Sequence, residues 1–142
     1  MSSVRVAAHV HSSWSYDGEG SLPDIAHAFR RRRYDVVLIS EYDRGFDQQR
    51  WLEYQKACAG ASTDDILLIP GIEYEDGDNV VHTPVWGEDV PFLGSGRPTV
   101  ELLRLAQGKG AVAVLAPIAT ECYFALPARM GSVALCGGGL EP

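Results

Sequence analysis

Short apolar runs that alternate with helix-like stretches constrain the fold of this chain more than any other feature. Four runs rich in Val, Leu, Ile and Ala predict strands at 4–10, 36–39, 66–69 and 111–115, and a further strand begins at 79–82. Unbroken hydrophobic runs are typical of strands that are covered on both faces. Strands that alternate with helices favour parallel β-α-β units, so we predict an α/β fold of about five parallel strands with the helices outside.

Three stretches between these runs have helical patterns. Ser21 can cap a helix, Pro23 suits the first turn, and Asp24 stands where a capping box places its acidic residue. We predict two further helices, over 46–59 and 99–107. Residues 119–142 break the rhythm, and we expect an irregular tail there after a domain spanning 1–118.

Composition limits the classes of function. The 142 residues are 46% hydrophobic, which fits one globular domain and excludes general disorder. A net charge of −7 disfavours non-specific DNA binding, and we expect neither a membrane span nor a secretory signal. The three cysteines form no CxxC pair, which favours a reducing compartment such as the cytoplasm.

Histidines and carboxylates follow the predicted strands where each strand ends. His9 and His11 close the first strand, and the later strands contribute Glu41, Glu73 and His82. In parallel α/β folds, reactive groups collect at this edge of the sheet. Residues two apart in a strand point to the same side, so His9 and His11 can reach one divalent ion. The alternative is a pair of surface histidines at a strand end.

Three segments resemble motifs of the PHP (polymerase and histidinol phosphatase) family. His-Val-His-Ser-Ser-Trp-Ser-Tyr-Asp-Gly at 9–18 is similar to its first motif, and Ile-Pro-Gly-Ile-Glu-Tyr at 69–74 to its glycine–isoleucine–glutamate motif. Val-His at 81–82, followed by Trp-Gly at 86–87, is similar to its next histidine motif. The resemblance covers about residues 4–116.

The resemblance implies a distorted barrel that holds two or three ions, typically zinc, manganese or iron. Most members are phosphoesterases, among them histidinol-phosphate phosphatases, nucleases and domains attached to DNA polymerases. The implied metal ligands are His9, His11, Asp17, Glu73 and His82, with Glu73 as the bridging carboxylate. A small-molecule phosphate ester or a nucleic-acid end would be the substrate, hydrolysed by metal-activated water.

Other residues near these motifs are candidates for catalysis. Asp17 and Glu73 would act as ligands, and Asp17 could also orient the attacking water. Glu41 could orient a ligand histidine, and Arg44 could clamp a phosphate or be a solvated loop arginine. Tyr42 could bind metal as a phenolate, donate to a phosphate, or be an ordinary aromatic residue.

The sequence departs from the family pattern in three places. Ser40-Glu41-Tyr42 stands where a Thr-Asp-His-like triplet is usual, and Ala116-Pro117 where His-Pro is usual. The strands that carry the later ligands are not found. Five strands cannot close a barrel of this kind, so we expect an incomplete one whose open edge favours self-association.

Two alternatives remain open at the level of sequence. A catalytically inactive, truncated PHP-like module would explain the missing histidines. A metal-dependent amidohydrolase also has His-X-His after its first strand, but it needs a lysine or histidine ligand at a later strand end. Lys56 and Lys109 lie in or after predicted helices, which disfavours this class.

Overall fold

The computed structural model describes residues 3–78, 81–117 and 133–135. These residues form three helices and eight strands, in the order β1 (Val6–Val10), α1 (Leu22–Arg31), β2 (Val36–Ile39), β3 (Glu41–Tyr42), α2 (Gln48–Ala61), β4 (Leu67–Ile69), β5 (Gly71–Glu75), β6 (Val81–Trp86), α3 (Thr99–Gly108), β7 (Val112–Pro117) and β8 (Val133–Leu135).

The strands lie in two sheets. The smaller sheet has the order β1-β2-β4 and is parallel throughout. The larger sheet has the order β3-β5-β6-β7-β8, with β5-β6 and β6-β7 antiparallel and its other pairs parallel. The α/β class is confirmed, whereas the expectation of about five parallel strands is corrected to eight strands in mixed order. Among the described residues neither sheet closes into a barrel.

Two of the predicted strands each continue as a second strand in the other sheet. β2 ends at Ile39, and after Ser40 the chain enters the larger sheet as β3. β4 ends at Ile69, and after Pro70 the chain enters the larger sheet as β5. Proline has no N–H to donate to a ladder, which is consistent with a break at that point. These crossings bring Glu41 and Glu73 into β3 and β5.

Side-chain caps set the beginnings of two helices. Ser21 caps α1 as predicted, because its hydroxyl accepts from the N–H of Asp24 at 3.2 Å and the Asp24 carboxylate accepts in return. α2 begins later than predicted because Asp47 accepts from the N–H of Arg50 at 2.7 Å. In the part of the chain that the structure describes, no helix is long and apolar enough to cross a membrane.

A continuous apolar core joins the helices to both sheets. The buried residues include Ile25, Val37, Ile39, Trp51, Tyr54, Cys58, Ile72, Leu102, Ala106 and Leu115. Trp86 donates from its indole to the carbonyl of Ile39 at 2.8 Å, and this contact links the two sheets. Gly71 leaves room for that indole, since a Cβ there would collide with the ring. The core therefore fixes the strand ends relative to one another.

Little of the predicted tail can be described. Residues 133–135 form β8, which runs parallel to β7 with Ala113 opposite Val133. The rest of 118–142, including Cys122 and Cys136, lies outside the described residues. The boundary predicted at 118 stays a prediction.

Candidate metal centre

Two histidines from the end of the smaller sheet converge on one carboxylate of the larger sheet. Nε2 of His9 lies 2.8 Å from Oε2 of Glu73, and Nε2 of His11 lies 2.9 Å from the same oxygen. The two imidazoles are stacked, with ring centroids 5.4 Å apart. One ligand atom from each of the three residues lies within 4.8 Å of the other two, so one cation could reach all three.

An irregularity in β1 sets the direction of the His9 side chain. The pairing of β1 with β2 shifts register between Ala8 and Val10, and His9 has a φ of 62°. A left-handed backbone is uncommon outside glycine and often marks a functional position. Bulges of this kind turn a side chain away from its regular direction. His9 and His11 therefore meet through a bulge and not through the regular alternation of a strand.

His82 and Asp17 extend the same cluster. Nδ1 of His82 lies 3.0 Å from Oε1 of Glu73, the oxygen that the other two histidines leave free. Nδ1 of His11 lies 3.3 Å from Oδ1 of Asp17. The five sequence-predicted ligands thus form one cluster, in which three histidines contact Glu73 and Asp17 contacts His11.

The cluster shifts the protonation of its members. Burial alone would raise the pKa of Glu73, but hydrogen bonds from His11, His82 and His9 outweigh it and lower the pKa far below its ordinary value. The hydrogen bond to Glu73 raises the pKa of His82 against the effect of burial. Burial alone would lower the pKa of His11, but contacts with Glu73 and the neighbouring carboxylates outweigh burial and raise it. Because a histidine binds metal as the neutral imidazole, metal would compete with protons at His11 and His82.

The donor set fits a divalent transition metal. Two imidazoles and one buried carboxylate are ligands that zinc, manganese and iron accept in proteins. Nδ1 of His11 is buried and lacks a partner with hydrogen-bond geometry, since its contact with Asp17 is close but misaligned. His9, His11 and Glu73 would hold the ion, with His82 and Asp17 beside it.

Glu41 supports the loop that follows His11, and among the described residues its hydrogen bonds go to serines and not to a histidine. Its Oε1 accepts from the N–H and hydroxyl of Ser12 at 3.0 and 2.5 Å, and its Oε2 accepts from the Ser15 hydroxyl at 2.5 Å. Burial raises the pKa of Glu41, and the serine hydrogen bonds only partly offset it. The buried carboxylate therefore holds the segment between His11 and Asp17 in place.

Tyr42 stands where the family pattern would place a histidine. Its ring makes edge contacts with His11 and His82, at centroid distances of 4.6 and 5.4 Å. Burial raises the pKa of Tyr42, as do the charges of Glu73 and Asp17. Without a metal its phenol is neutral at physiological pH, and its ring makes aromatic contacts with two histidines of the cluster.

A cavity of about 510 Å³ lies beside the cluster, lined by Ser13, Trp14, Ser15, Tyr16, Tyr42, Arg44, Gly45 and Arg50. Arg44 is oriented by a 2.5 Å contact from its Nε to Oε2 of Glu75. Among the described residues no hydrogen bond uses its two terminal nitrogens, so they are free to meet an anion. Sequence reasoning did not identify Tyr16 or Arg50, because no local pattern marks residues that meet only in the folded chain.

Comparisons with known proteins add a likeness of fold. No family model matches the sequence, and no curated protein matches it. The fold is similar to that of a proposed metal-dependent phosphoesterase from Bifidobacterium adolescentis, with a TM-score of 0.53 and 12% identity over 87% of this chain and 74% of that chain. A two-domain protein from Bacteroides vulgatus that contains a predicted PHP-like metal-dependent phosphoesterase gives a TM-score of 0.49 and 18% identity, over 78% of this chain and 34% of that chain. This chain therefore spans about a third of the Bacteroides protein.

Proposed function

We propose that this chain is a PHP-type metal-dependent phosphoesterase that holds zinc, manganese or iron. The observation that carries the proposal is the convergence of His9 and His11 on a single oxygen of Glu73, at 2.8 and 2.9 Å. The motif resemblance of the sequence and the likeness of fold to the Bifidobacterium protein support the same class of reaction.

The residues around Glu73 divide into holding and orienting groups. His9, His11 and Glu73 would bind the ion, and His82 lies 3.0 Å from the second oxygen of Glu73. A bound divalent ion would lower the pKa of a water molecule towards ~7 and offset phosphate charge. The Asp17 side chain is 43% exposed and lies 3.3 Å from Nδ1 of His11, so its carboxylate could accept a hydrogen bond from the attacking water.

Binding of a phosphate ester by this acidic chain requires positive charge close to the site. The net charge of −7 repels a phosphate ester at long range. Arg44 and Arg50 both line the cavity beside the cluster and supply guanidinium donors there. Arg44 would donate from its terminal nitrogens to phosphate oxygens while Glu75 holds its Nε.

Hydrolysis of a phosphomonoester and a phosphodiester with added Mn²⁺ tests this proposal. We expect turnover that a chelator removes and fresh metal restores, and that His11→Ala abolishes. His27→Ala is the matched control, because His27 is exposed on α1 and should leave turnover unchanged.

Each failure of this experiment has a meaning. Turnover that survives both chelation and His11→Ala contradicts the proposal. Absence of bound metal together with absence of turnover identifies the inactive module. Cleavage of amides in place of phosphate esters identifies an amidohydrolase.

A further inference from the structure

We propose that the cavity beside the histidine cluster binds the non-reacting part of the substrate, a planar aromatic ring next to negative charge, as in a nucleoside phosphate. This inference rests on the proposed function in one respect, that the reacting group of the substrate is a phosphate ester. The preference for an aromatic ring is inferred from the residues that line the cavity. The cavity volume of about 510 Å³ is in the range of small-molecule sites.

The cavity and the cluster share Tyr42. Its ring lines the cavity, and its centroid lies 4.6 Å from that of His11. A ligand in the cavity would therefore have its ester group beside the proposed metal ligands. This adjacency makes the cavity a subsite of the same reaction centre.

Tyr16 offers an exposed aromatic surface at this cavity. Its ring stacks on Tyr42 with centroids 5.1 Å apart and planes 17° apart, yet the residue is 71% exposed. Stacking on Tyr42 fixes the orientation of the ring before a ligand arrives. A fixed and accessible ring is the arrangement on which planar bases stack with little loss of entropy.

Trp14 adds a second aromatic group, and other aromatic side chains pack against its ring. Its ring packs against Tyr54 and Phe46, at centroid distances of 5.4 and 6.3 Å. Trp14 and Tyr16 both line the cavity, so a planar ligand would meet aromatic groups from two positions of one loop.

Arg50 supplies a cation that the described residues do not neutralise. Its guanidinium lies 5.4 Å from the centre of the Trp14 ring and 5.1 Å from that of Phe46, and donates to the Trp14 carbonyl at 3.3 Å. In the part of the chain that is described, it forms no ion pair. Arg44 is partly neutralised by Glu75. The cavity therefore favours a ring that carries or adjoins an anionic group.

The test compares AMP with ribose 5-phosphate by isothermal titration calorimetry. The two probes carry the same phosphate on the same sugar carbon and differ in the base. The full chain is freed of divalent ions with a chelator, so that no ester is hydrolysed during the titration. We expect AMP to bind at least about tenfold more tightly than ribose 5-phosphate, as base stacking predicts.

Single variants separate the contribution of the Tyr16 ring to binding from that of the Arg50 charge. Tyr16→Ala should weaken AMP binding about tenfold and leave ribose 5-phosphate unchanged, whereas Tyr16→Phe should retain AMP binding. Arg50→Gln should weaken both probes. Tyr34→Ala is the matched control, because Tyr34 packs under Arg5 away from the cavity.

Equal affinities for the two probes, or AMP binding that Tyr16→Ala does not change, would overturn the inference. Phenyl phosphate distinguishes the source of the ring: an affinity like that of AMP indicates any aryl phosphate, and one like that of ribose 5-phosphate indicates a nucleobase. These titrations need no turnover. A chain that binds AMP through Tyr16 but hydrolyses nothing loses the proposed function and keeps the ring site.

Discussion

Nε2 of His9 lies 2.8 Å from Oε2 of Glu73, a residue 64 positions further along the chain and in the other sheet. The contact joins the bulged end of β1 to the buried centre of β5. The position of Glu73 follows from the chain path, because β5 comes directly after β4. His11 approaches the same Glu73 oxygen. The relative placement of the two sheets therefore decides whether the cluster exists.

The first prediction concerns the pH dependence of stability without metal. The raised pKa values of His11 and His82 stabilise the fold fully below the unfolded value of 6.5, and this contribution is lost as the pH rises through the folded values. The lowered pKa of Glu73 stabilises the fold above 4.5, and this contribution is lost in acid. Urea unfolding of chelated protein should give a lower free energy of unfolding at pH 8.5 than at pH 5.5.

Two variants check the origin of that slope. His11→Gln should make the decline between pH 5.5 and 8.5 shallower, whereas His27→Gln should leave it unchanged. An identical slope in the wild type and in His11→Gln would mean that the cluster does not cause it.

The second prediction concerns Glu41. Glu41→Ala removes a buried acceptor and leaves the Ser12 and Ser15 hydroxyls without their partner. Buried unsatisfied groups cost about 1–3 kcal/mol, so we expect the free energy of unfolding to fall by about that amount. Glu41→Gln keeps an acceptor at the same place and should lose less. Equal stabilities of Glu41→Ala and the wild type would contradict the supporting role.

The third prediction concerns Gly71. A Cβ at this position would strike the Trp86 indole and lie 2.8 Å from the Ile39 carbonyl. Gly71→Ala should therefore lower the free energy of unfolding by about 1–3 kcal/mol, as overpacking does. Gly60→Ala is the matched control: its Cβ meets nothing, and α2 should gain roughly 0.5–1 kcal/mol. Chemical denaturation measures both, and a Gly71→Ala protein as stable as wild type would refute the close packing.

The fourth prediction concerns Arg44. Arg44→Gln removes a charged donor that would act on the phosphate, so kcat/KM for a phosphate ester should fall about tenfold. Arg104→Gln, an exposed change on α3, should leave kcat/KM unchanged. Equal kcat/KM values for Arg44→Gln and the wild type would make Arg44 the solvated loop arginine.

The sequence predicted those parts of the fold that depend on local chemistry. The hydrophobic run at 36–39 matches β2, and the Ser21 capping box begins α1 as expected. Residue types at a strand end also drew attention to His9 and His11, because both stand at the end of a recognisable apolar run.

The remaining features depend on contacts that no local pattern reveals. The bulge at His9, the crossing of the chain between sheets after Pro70, and the burial of Glu41 against two serines all arise from tertiary packing. The prediction of parallel strands holds for β1, β2 and β4 but is wrong at β6, which pairs antiparallel with both of its neighbours. The run of six buried residues in β6 does not encode a strand direction.

Bound metal per chain, measured on purified protein by inductively coupled plasma mass spectrometry, tests the central claim most directly. After incubation with Zn²⁺, Mn²⁺ or Fe²⁺ and dialysis, the wild type should retain at least one ion per chain. His11→Ala and Glu73→Gln should retain almost no ion, because each loses one of the three ligands, and His27→Ala should retain as much as the wild type. A wild type that retains no ion, or a His11→Ala variant that retains as much, would contradict the account.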